Sequence, residues 1–223
     1  MKFNFQKILL LLFFVINFSN THSQTQFPFY DEIQAFKKMD SINFPPSNAI
    51  LFVGSSSFRK WTDVNKYFPG LKIINRGFGG SSIPDVTRFA PDIIYPYNPK
   101  QIVIYCGDND LASSPNVTAD EVVKRFKELY RAIRVNFPIV EILFVSIKPS
   151  PSRRNLMPRI VASNKLIKAY LLKKKHTAFA DVYNPMLNIS HQPIPNIFLS
   201  DSLHMNSKGY DIWKKVIVKY LKK

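Results

Sequence analysis

The chain has 223 residues, 46% of them hydrophobic, with 19 phenylalanines, a single cysteine and a formal net charge of +16. That is a globular composition with enough chain for one domain and a sizeable core, and one cysteine excludes any internal disulfide. The charge fits a basic soluble surface, and equally affinity for acidic polysaccharide, anionic lipid or nucleic acid.

In chain order, residues 1–7 carry Lys2 and Lys7 and no acid, residues 8–18 are almost wholly apolar, and residues 19–24 are small and polar. This is the order of a secretory signal peptide, too short in its apolar part for a comfortable membrane span. Cleavage is expected near Ser23–Gln24, which leaves a mature domain of residues 24–223 at net +14 and an exported, periplasmic or extracellular, protein. Export disfavours nucleic acid as a partner.

Residues 29–43 follow as a leading helix, with Ile33, Phe36 and Met39 at helical spacing, ended by Phe44-Pro45-Pro46-Ser47. Residues 49–53 are a short branched apolar run, suited to a strand buried on both faces, although periodicity alone does not exclude a helix. Gly54 ends the run, Ser55, Ser56 and Ser57 follow, and residues 58–61 read as a helix start. A second run, 71–74, ends in Asn75-Arg76-Gly77-Phe78-Gly79-Gly80-Ser81-Ser82 before a short helix over 83–89. A third, 101–105, ends in Cys106-Gly107-Asp108-Asn109-Asp110. Thr118, with Glu121 at the capping-box position, predicts a helix over 119–136. Residues 140–146 are a fourth strand, followed by Lys148-Pro149-Ser150-Pro151-Ser152-Arg153 and a mainly helical stretch over 155–173. Residues 178–182 are a fifth strand, 183–203 an irregular proline-containing segment, and a last helix capped by Asn206 or Ser207 runs to about residue 221.

Strands alternate with helices and no hairpin signal separates them, which predicts a parallel sheet covered by helices on both faces. The Gly/Ser/Asn clusters all follow strands, so in an open parallel sheet they gather on one edge, where ligands bind.

Those clusters hold what an acyl-transfer site needs: a hydroxyl, a base, a group to orient the base and donors for an oxyanion. Of the four histidines, His22 leaves with the signal peptide, His176 sits at a lysine-rich helix end and His191 among prolines. His204, in Asp201-Ser202-Leu203-His204, is the best base candidate, because a carboxylate three residues ahead can reach its Nδ1. Gly79-Gly80 permits close backbone approach, and Asn109 offers an uncharged amide. The plainer alternatives are turn geometry for the glycines and a self-capped turn for Asn109. Cys106, at the end of an apolar run, reads as a small buried residue rather than a nucleophile. No Cys/His spacing supports zinc, and no metal or other cofactor is expected.

Together these blocks resemble the SGNH, or GDSL-type, hydrolase superfamily over nearly all of the mature chain. The resemblance implies a three-layer α/β/α, flavodoxin-like fold with a five-stranded parallel sheet in the order 2-1-3-4-5, similar to the platelet-activating-factor acetylhydrolase branch. It matches Ser56 to the nucleophile, Gly80 to the glycine block, Asn109 to the Gly-x-Asn-Asp block, here Gly107-Asp108-Asn109-Asp110, and Asp201 and His204 to the Asp-x-x-His block. The acid before the nucleophile in the family's Gly-Asp-Ser is here Ser55. The implied activity is ester hydrolysis through an acyl-enzyme, with Ser56, Asp201 and His204 catalytic and the Ser56 and Gly80 N–H groups and the Asn109 amide holding the oxyanion. The alternative is a carbohydrate-binding member that kept the fold without the chemistry. Expected substrates are small-molecule or glycan esters of short-chain or acetyl type, or a lysophospholipid-like ester, with no stable membrane insertion once the signal is removed. Arg59, Arg76, Lys148 and Arg153 either line the rim of the site or only solvate the surface. Asn116 and Asn188 head glycosylation sequons that matter only in a glycosylating host.

Overall fold

The structure, a computed structural model, describes residues 27–223, so the expected signal peptide lies outside the described residues. Five strands, β1 (Ile50–Gly54), β2 (Ile73–Gly77), β3 (Gln101–Tyr105), β4 (Glu141–Val145) and β5 (Thr177–Ala180), form one sheet in the order β2-β1-β3-β4-β5. Every pairing is parallel. The helices in chain order are α1 (Tyr30–Ile42), α2 (Ser56–Arg59), α3 (Val64–Tyr67), α4 (Ile83–Arg88), α5 (Ala90–Ile93), α6 (Asp108–Ser113), α7 (Ala119–Asn136), α8 (Met157–Leu171) and α9 (Ser207–Ile217).

Alternation along the strands divides the core in two. Leu51 and Val53 of β1 join Ile102, Ile104, Ile142 and Phe144 under α1 and α4–α8. Ile50 and Phe52 join Val103, Tyr105, Leu143 and Val145 under α2, α3 and α9. Because both faces are covered, β1 and all but the first residue of β3 and β4 carry unbroken apolar runs rather than alternating ones. This is the expected three-layer α/β/α architecture, in the expected strand order.

The register sets where the chemistry can occur. Gly54 pairs with Gly77 on one side and with Tyr105 on the other, so three strands end in one row. The segments leaving that row carry Ser56, Gly80 and Asn109. Gly54 has φ of 138°, and a Cβ there would stand 1.8 Å from the Tyr105 carbonyl oxygen, so only glycine allows the turn at this pairing distance.

Local signals act as the sequence predicts, with adjustments. The Thr118 hydroxyl accepts from the Glu121 N–H, but the Glu121 carboxylate pairs with Arg125. Asn206 caps α9, accepting from the N–H groups of Lys208 and Gly209. α2 starts at Ser56, two residues ahead of the predicted start. The prolines after β4 form a 3₁₀ turn, Pro151–Leu156, before α8 begins.

Candidate active site

Ser56 is the first residue of α2, directly beyond the Gly54 turn. Its N–H belongs to the first turn, where a helix offers no acceptor of its own. The short helix is held from below by aromatic packing: Phe58 lies against Phe52 at 4.8 Å between ring centroids and against Trp213 of α9 at 5.9 Å. Tyr210, also on α9, donates to the Ser57 carbonyl at 2.9 Å. The turn that carries the hydroxyl is thus seated on the core under α2, α3 and α9.

His204 reaches Ser56 from 148 residues away, its Nε2 standing 2.9 Å from Ser56 Oγ. On the other side of the ring, Nδ1 lies 2.6 Å from Asp201 Oδ2. A carboxylate on Nδ1 keeps the proton there and leaves the Nε2 lone pair facing the hydroxyl. Asp201 Oδ1 accepts from the backbone N–H groups of Leu203 and His204, both at 2.9 Å. Partial desolvation works to raise the Asp201 carboxyl, but the His204 ring and these N–H donors outweigh it and hold the group well below the usual carboxylate range.

The loop carrying this pair is closed at its base. Phe198 and Met205 form an antiparallel bridge, Leu199 donates to the His204 carbonyl, and the Asn206 amide donates to the carbonyls of Asn196 and Phe198. Ser202 takes the left-handed conformation, φ 57°, at the tip between acid and base. Asn206 therefore serves twice, capping α9 and pinning the loop that precedes it.

The donors opposite come from the glycine block and α6. Gly79 is already occupied: its N–H donates to the Glu32 carboxylate of α1, at 3.1 and 3.2 Å to its two oxygens. Gly80 is exposed, and a Cβ there would meet nothing nearer than Asn109 Nδ2 at 4.0 Å. The Gly80 backbone and the Asn109 amide are thus neighbours at an open position. Ser81 ties the loop down, its hydroxyl donating to the carbonyls of Gly54 and Phe78. Asn109 donates through Nδ2 to the Ser81 carbonyl at 3.0 Å and accepts at Oδ1 from Arg153 Nη2 at 2.8 Å. Asp110, the last residue of that block, is buried. It accepts from the Ile83 N–H at the start of α4 and pairs with Arg125, which makes it a structural link between loops.

Ser55, in place of the family's acid, is buried, and its hydroxyl has no hydrogen-bond partner among the described residues. Cys106 is buried as expected, and burial pushes its thiol up, away from the reactive thiolate.

The four basic residues considered for the rim divide. Arg76 does not reach the site. It is buried under α1, paired with Asp40, donating to the Tyr97 hydroxyl and lying over the Phe36 and Tyr97 rings. Its direction follows from the strand period, which turns it to the α1 face. Lys148 is also no rim residue: it is 1% exposed and stands 3.5 Å from Asp108. Arg153 lies behind Asn109, and Arg59 alone is half exposed, paired with Glu32 at 2.7 Å. One contributor had no sequence signal: Glu32 precedes Gly79 by 47 residues in a helix with no visible motif. Asp108 stood in the Gly-x-Asn-Asp block, with nothing there to show that it pairs with Lys148 and Arg153.

Among the described residues no group of three or more His, Cys, Asp or Glu side chains could hold a metal ion.

Known proteins share the family and the fold of this chain. The GDSL-like Lipase/Acylhydrolase family matches residues 49–212. The isoamyl acetate-hydrolyzing esterase of Schizosaccharomyces pombe is 26% identical over 165 residues, covering 72% of this chain and 66% of that protein, just under two thirds of its length. Among solved structures, one from Streptococcus pneumonia superposes with a TM-score of 0.75 at 21% identity, over 86% of this chain and 92% of the other. A GDSL-like lipase from Bacteroides thetaiotaomicron gives 0.70 at 22% identity, over 84% and 95%. The solved structures share the fold, and the family match spans well over half of the chain, including every strand and the whole of the Ser56, Asn109 and His204 constellation. The chain belongs to the GDSL-like lipase/acylhydrolase family.

Proposed function

We propose that the protein is an exported serine esterase that removes short acyl groups, acetyl above all, from small-molecule or glycan alcohols. The single observation that carries the mechanism is the line from Asp201 through His204 to Ser56, 2.6 Å and 2.9 Å. Ser56 Oγ attacks the ester carbonyl carbon while His204 Nε2 takes the hydroxyl proton. The carbonyl oxygen becomes an oxyanion held by the N–H groups of Ser56 and Gly80 and by the Asn109 amide. As that intermediate collapses, the ester C–O bond breaks and His204 returns the proton to the leaving alcohol. Water then attacks the acyl-enzyme, again giving its proton to His204, and the second collapse frees the carboxylic acid and Ser56. Asp201 stays ionised throughout, which favours the imidazolium each time it forms.

The acetyl preference is supported by the name of the yeast relative, which hydrolyses an acetate ester. Export rests on the charge, apolar and cleavage-site order of residues 1–23. The test is a panel of acetyl, butyryl and longer-chain esters beside acetylated glycans, run on the mature chain. Falling kcat/KM with acyl length supports the reading, and a preference for long chains overturns it. N-terminal sequencing of exported protein should begin near Gln24.

A further inference from the structure

Behind Asn109 lies a buried charged cluster that the acyl-transfer steps leave unused. Arg153 Nη1 and Lys148 Nζ both approach the same oxygen of Asp108, at 2.9 and 3.5 Å. Asp108 and Lys148 are almost wholly buried, and Arg153 is largely so. Burial works to raise the Asp108 carboxyl, but Lys148 and Arg153 outweigh it and hold it low. The cluster is therefore built around a carboxylate that stays ionised, and Arg153 is its side facing the active site.

The second amino group of Arg153 does not point to solvent. Nη2 donates to Asn109 Oδ1 at 2.8 Å. An asparagine amide has two N–H donors and one carbonyl acceptor. Here the acceptor is taken by a cation and one donor by the Ser81 carbonyl. A flipped amide would set Nδ2 against the guanidinium, donor to donor, so the orientation is fixed. The remaining N–H is left for the open space at Gly80, where a Cβ would lie 4.0 Å from Nδ2. A positive charge on the amide oxygen also draws electron density away from Nδ2, which strengthens that N–H as a donor to a growing negative charge.

We propose that Arg153 is a positioning residue of the oxyanion hole: braced on buried Asp108 and Lys148, its guanidinium locks the Asn109 amide and polarises it toward the developing oxyanion. The inference rests on the oxyanion role given to Asn109 above. It also explains why a cation from the 3₁₀ turn is drawn inward. The preceding residue of the same turn secures the base loop, since the Ser152 N–H and hydroxyl both donate to the Ser202 carbonyl, at 3.1 and 3.0 Å. One turn after β4 thus holds both halves of the site in register.

The test is a double-mutant cycle on the mature protein with an acetyl ester: wild type, Arg153→Met, Asn109→Ala and the double variant, each with kcat, KM and melting temperature. Arg153→Met is expected to lower kcat by about 10- to 100-fold, less than the roughly 10²- to 10³-fold loss of the donor itself, with KM within about twofold. In the Asn109→Ala background, Arg153→Met is expected to cost nothing further. If the two losses multiply, or if KM rises while kcat holds, Arg153 does not act through Asn109 and the proposal falls. Full turnover in Asn109→Ala would instead remove the oxyanion reading itself, whereas slow Asn109→Ala beside a normal Arg153→Met would remove the Arg153 inference alone. If Arg153→Met does not fold, Arg153→Gln keeps a donor for Asn109 without the charge, and its loss must likewise vanish in the Asn109→Ala background.

Discussion

At the scale of single residues, the arrangement turns on which groups are committed before substrate arrives. Gly79 spends its N–H on Glu32, Asn109 spends its carbonyl on Arg153 and one donor on Ser81, and what is left open is the Gly80 backbone and one Asn109 N–H. Asn109→Ala should therefore still fold, with a modest fall in melting temperature from the two lost hydrogen bonds, and cost about 3 kcal/mol of transition-state stabilisation, read as a loss in kcat. Asp201 supplies a second prediction. Its folded carboxyl is held below the ordinary value of about 3.9. The stability it contributes is thus fully present above that value and is lost as the pH falls toward the folded one. Melting temperature should decline more steeply below about pH 3.9 in wild type than in Asp201→Asn, which has no proton to bind there. Equal slopes would mean that the pair with His204 adds nothing to folding. The residues were legible here unevenly. Ser56 and Asn109 stood out because each sits in a short polar block after a strand, and Asp201 and His204 because a carboxylate stands three residues ahead of one of only four histidines. Arg76 and Lys148 did not, because basic residues beside such blocks look alike in sequence whether they face solvent or a buried carboxylate.

Elements explain why the blocks are spaced as they are. β1 must end in a residue that can lie against the Tyr105 carbonyl, and the chain must then turn at once into α2. Gly54→Ala should fail to fold or lose several kcal/mol, since its Cβ would overlap that carbonyl at positive φ. Gly80→Ala should fold normally because its Cβ has open space, and it should lower kcat/KM because the methyl points toward Asn109 Nδ2. Measured together by thermal melts and ester turnover, the pair separates a glycine required by the fold from one required by the site. A melt for Gly80→Ala as low as for Gly54→Ala would contradict this assignment. α1 lies ahead of the family match, yet it braces the site through Glu32 and docks through Asp40 on Arg76. Arg76→Ala should therefore destabilise by about 3–5 kcal/mol, as breaking a buried ion pair does, with KM unchanged. A raised KM with an unaltered melt would return Arg76 to the rim. The long helices α7 and α9 were legible from cap and α8 from its length, and α2 was read as a helix start two residues late. The four-residue helices α3 and α5 and the six-residue α6 were not legible, because one turn or little more leaves no period to read.

For the whole molecule, the decisive feature is that one sheet edge collects segments far apart in the chain. The order β2-β1-β3-β4-β5 places β1 between β2 and β3, with the glycine loop on one side and the Asn109 helix on the other. The α9 approach brings His204 over the same edge from the second layer. The layer arrangement was legible from the alternation of strands and helices, whereas the strand order followed from the family resemblance. The pairings that join Glu32 to Gly79 and Arg153 to Asn109 were not, because they depend on side-chain reach across loops that leave no pattern in sequence. The most direct test of the central claim is reaction of the mature protein with a fluorophosphonate, followed by mapping of the modified residue by peptide mass spectrometry. The account predicts a single adduct on Ser56, with ester hydrolysis lost in step with labelling and neither label nor turnover in Ser56→Ala. An adduct on another residue, or an unlabelled Ser56 in protein that still cleaves esters, would contradict it.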